Sequence, residues 1–174
     1  MTLGVDSFKA KLVGGGARTN LFKATVNFPS GVQGDVELSS FMIKAAQLPA
    51  SIIAPVTVPF RGRQLQVAGD RTFEPWTITV INDTNFSVRN SMESWMNAIN
   101  GHKTNAGRNN PADYQADLKV EQLDKNGNSL KVYNFRGCFP TNVSAIDVSY
   151  ETENTIEEFT CEFQVQYWEA NSTS

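Results

Sequence analysis

From Glu157 to Glu169 the chain alternates with a period of two, Phe159, Cys161, Phe163, Val165 and Tyr167 against Thr160, Glu162, Gln164 and Gln166. Successive side chains of a strand point to opposite faces, so this segment has one apolar face to cover and one polar face to leave wet. Its register is fixed, because a one-residue slip would bury Glu162 and expose Phe163. Similar segments recur. Leu21 to Phe28 sets Phe22, Ala24, Val26 and Phe28 against Lys23, Thr25 and Asn27, and Trp76, Ile78 and Val80 alternate with Thr77, Thr79 and Ile81. Ala116, Leu118 and Val120 lead into Asp124-Lys125-Asn126-Gly127-Asn128, a hairpin turn with the Asn-Gly pair, and Leu130, Val132 and Phe135 lie on the return. Val143 to Tyr150 reads as the partner of the last strand, and Val36 to Ala46 as a strand whose phase slips near Ser39-Ser40, as at a bulge.

One segment has a different period. Val88, Met92, Trp95, Met96 and Ile99 fall on one face of a helix over Asn85 to Ile99, with Thr84 or Asn85 as its cap and Gly101 as its stop. A Met and Trp stripe at that spacing packs against a sheet more readily than it lines a ligand box, and Asn105 to Asp113 then reads as loop. With 174 residues the expectation is a single domain, 1–174, a mainly antiparallel β-barrel or sandwich flanked by one α-helix and anchored by Trp76, Met92, Trp95, Phe159 and Phe163.

Two segments do not fit a self-contained core. Gly14-Gly15-Gly16 resists regular structure and sets off residues 1–16 as a flexible N-terminal arm. Residues 47–66 place Pro49, Pro55 and Pro59 among Ile52, Ile53, Val56, Val58 and Phe60, ahead of Arg61 and Arg63. Proline is confined to edges and turns of sheets, so this excursion is expected to project, and its apolar residues suit an interface better than a monomer surface. Gly69-Asp70-Arg71-Thr72 has the composition of the tight turn that would end it.

Chemistry is hard to place on this chain. His102 is its one histidine, and Glu157 and Glu158 are adjacent, so they point to opposite faces and make a poor acid/base pair. No phosphate loop, nucleophile elbow or metal-ligand spacing occurs, and neither an enzyme activity nor a cofactor or metal is expected. Cys138 and Cys161 are spaced for neither zinc nor redox work. No run approaches the roughly 20 apolar residues of a membrane span, and the N-terminus lacks a signal-peptide core, which points to the cytosol. The net charge of −3 is segregated: residues 137–174 contain seven carboxylates and no Lys, Arg or His, which leaves +4 on residues 1–136. An acidic end argues against gripping nucleic acid.

Several blocks resemble the tail tube proteins of contractile-tailed, T4-like bacteriophages. They are Ala17-Arg18-Thr19-Asn20-Leu21-Phe22, with Thr19 where the family has proline, the run Ala68 to Asp83 (AGDRTFEPWTITVIND), Phe139-Pro140-Thr141-Asn142-Val143, and the ending Tyr167-Trp168-Glu169. The resemblance implies a homo-hexameric ring stacked into a tube, with a tail sheath protein, baseplate or tube-initiator proteins and a tape-measure protein as partners, assembled in the bacterial cytoplasm and carried in the virion. DNA would pass through the lumen without specific binding. A lumen lining should be polar and not positive, which nominates Thr160, Glu162, Gln164 and Gln166. Contacts between rings or subunits would fall to Ile52, Ile53, Val56, Val58, Phe60, Arg61, Arg63, Asp70 and Arg71. The tube of an extracellular contractile injection or secretion system is an alternative of the same class. A monomeric ligand-binding β-sandwich, stacking its ligand on Trp76 or Trp168, is one of a different class.

Overall fold

The structure, a computed structural model, describes residues 4–173, so the first three residues of the expected arm lie outside the described residues. In chain order the elements are α1 (Val5–Lys11), β1 (Phe22–Val26), α2 (Val36–Met42), β2 (Ile43–Ala46), β3 (Ile52–Phe60), β4 (Arg63–Thr72), β5 (Trp76–Ile81), α3 (Ser87–Ile99), α4 (Pro111–Tyr114), β6 (Ala116–Leu123), β7 (Ser129–Val143), β8 (Glu158–Gln164) and β9 (Tyr167–Ala170). The fold is mainly β, an antiparallel sheet with a few helices.

Seven strands form one sheet in the order β1-β6-β7-β8-β5-β2, with β9 added beside β7. The fifteen-residue β7 belongs to two layers. Its first part pairs with β6 on one side and, over Tyr133 to Arg136, with β9 on the other; Phe139 to Val143 pairs with β8. The change of partner occurs at Gly137, whose φ of 61° breaks the extended geometry and where a Cβ would sit 2.8 Å from Gln166 Cγ. The layers β1-β6-β7-β9 and β7-β8-β5-β2 enclose the core between them. Trp76 of β5 stacks on Phe135 of β7 at 4.7 Å, and Trp95 of α3 reaches Phe163 at 5.8 Å and Phe28, edge-on, at 5.9 Å. Trp76, Met92, Trp95, Phe159 and Phe163 are all buried.

Several elements differ from the sequence expectation. Four α-helical segments are present among the described residues in place of one. Val36–Met42 is helical because the Asp35 carboxylate accepts the Leu38 N–H at 3.0 Å, and the Ser39 hydroxyl, buried on the inner face, bonds the Asp35 carbonyl. The phase slip at Ser39-Ser40 is thus a helix ending at Met42, and only Ile43–Ala46 is strand. Residues 5–11 of the arm form α1, with Asp6 in the first turn and Lys9 and Lys11 in the last, signs that suit the helix dipole. The segment 111–114, expected as loop in part, closes into α4 behind an Asn110 cap. α3 is capped by Asp83, which accepts both the N–H and the hydroxyl of Ser87 at 2.8 Å, while Thr84 and Asn85 precede a left-handed Phe86 (φ 54°). Gly101 is not a left-handed stop. It permits close approach, since a Cβ there would meet the Ala106 carbonyl at 2.9 Å.

The last strand pair also differs. Residues 144–150 form no strand: Ser144 still bonds the Thr160 carbonyl and Ile146 packs against the core, but the chain then turns outward and Val148 and Tyr150 face solvent. The expected single strand over Glu157 to Glu169 breaks after Gln164, where the chain leaves the β8 layer and β9 joins β7 in the other layer. Tyr167 is consequently half exposed instead of following Val165 into the core.

Candidate functional site

Two surfaces stand out, a polar sheet face and an apolar hairpin. On β8, Phe159, Cys161 and Phe163 point inward, so Thr160, Glu162 and Gln164 share the outer face. The register places Thr160 opposite Thr79 and Glu162 opposite Thr77, which widens that face into a patch of short hydroxyl and carboxamide side chains. Its one cation among these strands is Lys44 of β2, and Lys44 is engaged by Glu158. The carboxylate of Glu162 has no ion-pair partner among the described residues, so the net sign of the patch is negative. Gln166 is not part of this patch. It lies past the end of β8, donates its N–H to the Arg136 carbonyl and leans over Gly137.

The excursion after β2 is a two-stranded ribbon that pairs with no other strand among the described residues. Its turn is Arg61-Gly62, both with positive φ (45° and 76°), the geometry of a two-residue turn matched to strand twist. Gly69-Asp70-Arg71-Thr72 is therefore strand and not turn; Arg71 faces Ile53 across the ribbon. Gly69 sits where the register shifts, and a Cβ there would come within 2.5 Å of the Ala54 carbonyl. Pro55 and Pro59 are tolerated because β3 has a partner on one side alone. Val56 opposite Val67 and Val58 opposite Leu65, with Phe60 near the tip, make one apolar face, and all five side chains are exposed, Phe60 at 66%. The opposite face carries Thr57 bonded to Gln66. Ile53 is exposed and Ile52, at the root, half-buried. Arg61, Arg63, Asp70 and Arg71 are exposed and make no ion pair among the described residues. The ribbon is tied to the core by Trp76, whose indole N–H donates to the Gln47 carbonyl at 2.7 Å.

Sequence reasoning put Leu65 and Val67 on the projecting excursion without naming them as contacts, and did not single out Lys44. Leu65 and Val67 follow from the pairing register, whereas Lys44 was hidden by the misread β2 segment. Trp76 cannot serve as a stacking platform, since it is 2% exposed. Trp168 is half-buried and packed edge-on against Phe73 and Tyr133, and the concavity beside it, about 200 Å³, is smaller than the roughly 300 Å³ at which small-molecule pockets begin. Cys138 and Cys161 are free and buried, and burial pushes both thiols up to about 12.

A family described as "Phage tail tube protein" matches residues 15–171. The chain belongs to the phage tail tube protein family. Members of that family are structural components of the virion, which is where this chain has its place. It is 31% identical over 154 residues to tail tube protein gp19 of Enterobacteria phage T4, covering 88% of this chain and 91% of that one. To the tail tube protein of Serratia phage KSP90 it is 31% identical over 172 residues, covering 97% and 96%. Its fold is similar to the tube-terminating cap of the anti-feeding prophage (TM-score 0.67, 17% identity, 91% and 92% covered). It is also similar to a chain of the PVC extracellular contractile injection system sheath–tube complex in the extended state (TM-score 0.61, 12% identity, 98% and 99% covered). These family relatives are structural proteins.

Proposed function

We propose that this tail tube family member assembles six to a ring and that rings stack into the inner tube of a contractile tail, through which DNA and a tape-measure protein pass. The observation that carries this reading is the ribbon. An exposed face of Val56, Val58, Phe60, Leu65 and Val67 on a hairpin with no further strand partner among the described residues is an association liability in a monomer and an interface in an assembly. The sheet supports the same reading, because its path ends at β1 and β2, each with one unpaired edge that a neighbouring subunit can extend into a larger closed barrel. A surrounding sheath, and baseplate or initiator proteins that start the tube, fit the solved relative described as a sheath–tube complex.

In this arrangement Thr160, Glu162 and Gln164, with Thr77 and Thr79, line the channel. Hydroxyls and carboxamides hydrate the wall, and the Glu162 carboxylate repels phosphates, so no counterion-release attraction holds the DNA. The relatives found at 31% identity are phage proteins, whereas the injection-system structures are alike in fold at 12–17% identity, which favours a phage tail over an injection apparatus. Gln164→Cys tests the lining, since both native thiols are buried. A bulky impermeant maleimide is expected to label the unassembled protein and spare long tubes except at their ends. Labelling along the whole tube would place this face outside. Uniform hollow tubes in negative stain are the expected product of the purified protein with a seed, and a stable monomer under those conditions would refute the tube itself.

A further inference from the structure

The ribbon and the loop joining β7 to β8 leave opposite ends of the same strands. β5 runs antiparallel to β8 with Trp76 opposite Phe163 and Ile81 opposite Glu158. The ribbon is rooted at the Trp76 end, and the loop, residues 144–157, leads into Glu158 at the other. The six-residue ladder between them is about 17 Å long, and the nine residues of β3 reach about 30 Å beyond its root. Their chemistry is complementary. The ribbon carries Arg61, Arg63 and Arg71 against the one carboxylate of Asp70, whereas the loop carries Asp147, Glu151, Glu153 and Glu157 and no cation. The loop is also apolar where it is most exposed, with Val148 at 78%, Tyr150 at 107% and Ile156 at 67%. Residues of the loop between Ala145 and Glu158 line an open concavity of about 560 Å³.

We propose that the tip of the ribbon, Phe60 with Arg61 and Arg63, docks into the concave acidic loop 144–157 of a second copy in the next ring. This rests on the tube reading and names the receptor that the ribbon meets. A contact between opposite ends of one chain is heterologous and does not close, so it propagates along an axis. Phe60, Val148, Tyr150 and Ile156 lose water together, and the loop carboxylates, which repel one another in the free chain, gain cations on docking. Charge pairing of this kind governs register and encounter and weakens with salt.

The test is polymerisation of the full chain followed by light scattering and negative stain, in wild type, in Arg61→Glu/Arg63→Glu, in Glu151→Lys/Glu153→Lys, and in all four substitutions together. All four sites are exposed, and circular dichroism confirms that each variant is folded. Each double reversal is expected to raise the critical concentration at least about tenfold, the equivalent of about 1.4 kcal/mol, and the quadruple variant is expected to recover most of that. Independently, Arg61→Cys mixed with Glu153→Cys is expected to give disulfide-linked pairs in tubes under oxidation and none in the unassembled protein. Double reversals that polymerise like wild type, or a quadruple variant no better than either double, would overturn the docking while leaving the tube intact. A wild-type chain that never polymerises would overturn the tube reading and the docking with it.

Discussion

Trp76 joins the two parts of the molecule that the proposed function keeps distinct, the core and the ribbon. Its indole is 2% exposed, stacks on Phe135 at 4.7 Å, lies 6.1 Å from Phe163 and donates to the Gln47 carbonyl at the ribbon root. An aromatic side chain of this size buries about 150–250 Å², which at about 25 cal/mol per Å² sets an upper bound of about 4–6 kcal/mol. Phe135 and Phe163 belong to paired strands and cannot collapse into the space, so Trp76→Ala is expected to cost about 3–5 kcal/mol. Trp76→Phe keeps a ring against Phe135 and removes the N–H. Because Gln47 is exposed, its carbonyl turns to water, and the expected loss is about 1–2 kcal/mol. Urea unfolding followed by circular dichroism, at a protein concentration below polymerisation, measures both. Hydrogen exchange supplies the second readout: Trp76→Phe should speed exchange in the ribbon and leave β6 and β7 protected. The reasoning fails if Trp76→Ala costs less than about 1 kcal/mol, or if Trp76→Phe costs as much as Trp76→Ala.

Asp83→Ala should lower stability by about 1 kcal/mol through loss of the α3 cap, measured by the same urea titration. Burial alone would raise the Asp83 pKa, but the hydrogen bonds from Ser87 outweigh it and hold the carboxyl below its ordinary range. Its contribution is therefore present above the unfolded carboxylate range and lost as pH falls through the folded value, and Asp83→Ala should flatten the acid limb of the stability curve. Cys138 and Cys161, with thiols pushed up to about 12 by burial, should stay unreactive to Ellman's reagent at pH 8 in the folded chain and both react in urea. Arg71→Ala, on an exposed strand position of the ribbon, should leave the urea midpoint within about 0.5 kcal/mol and reduce tube yield in negative stain. Glu162→Lys should leave tubes intact and make them retain DNA in a filter assay, with retention falling as salt rises.

The segments legible in the sequence are those whose two faces meet different surroundings. Ala24 and Val26, Trp76 to Val80, Leu118 and Val120, and Phe159 to Phe163 are all buried while their alternate neighbours are not, so burial itself writes the period of two. Ser39 defeats that signal at α2, since a small polar residue bonded to its own helix can be buried without looking apolar, and Asp35 as a cap was the available clue. Gln166 was unreadable for another reason. Where a chain passes from one layer to another depends on Gly137 in β7, nearly thirty residues away, and the alternation of Gln164 and Gln166 continues across the break unchanged. Turn composition misled at Gly69 to Thr72 because Gly69 answers a close approach by Ala54, while the real turn, Arg61-Gly62, offers one glycine beside an arginine that has no turn preference.

The surfaces proposed for assembly were legible as violations of monomer logic. Prolines in a strand, apolar residues on a projecting ribbon and an end without cations each conflict with what a lone domain needs, and such local conflicts concentrate where function sits. Val148, Tyr150 and Ile156 are the instructive case. Alternation suggested a strand through Val148 and Tyr150, yet these two and Ile156 have no cover among the described residues and sit among carboxylates at the end of the molecule opposite the arginines of the ribbon. A pattern that looks like a core but finds none in its own fold is what a contact completed by a second copy should leave in a sequence.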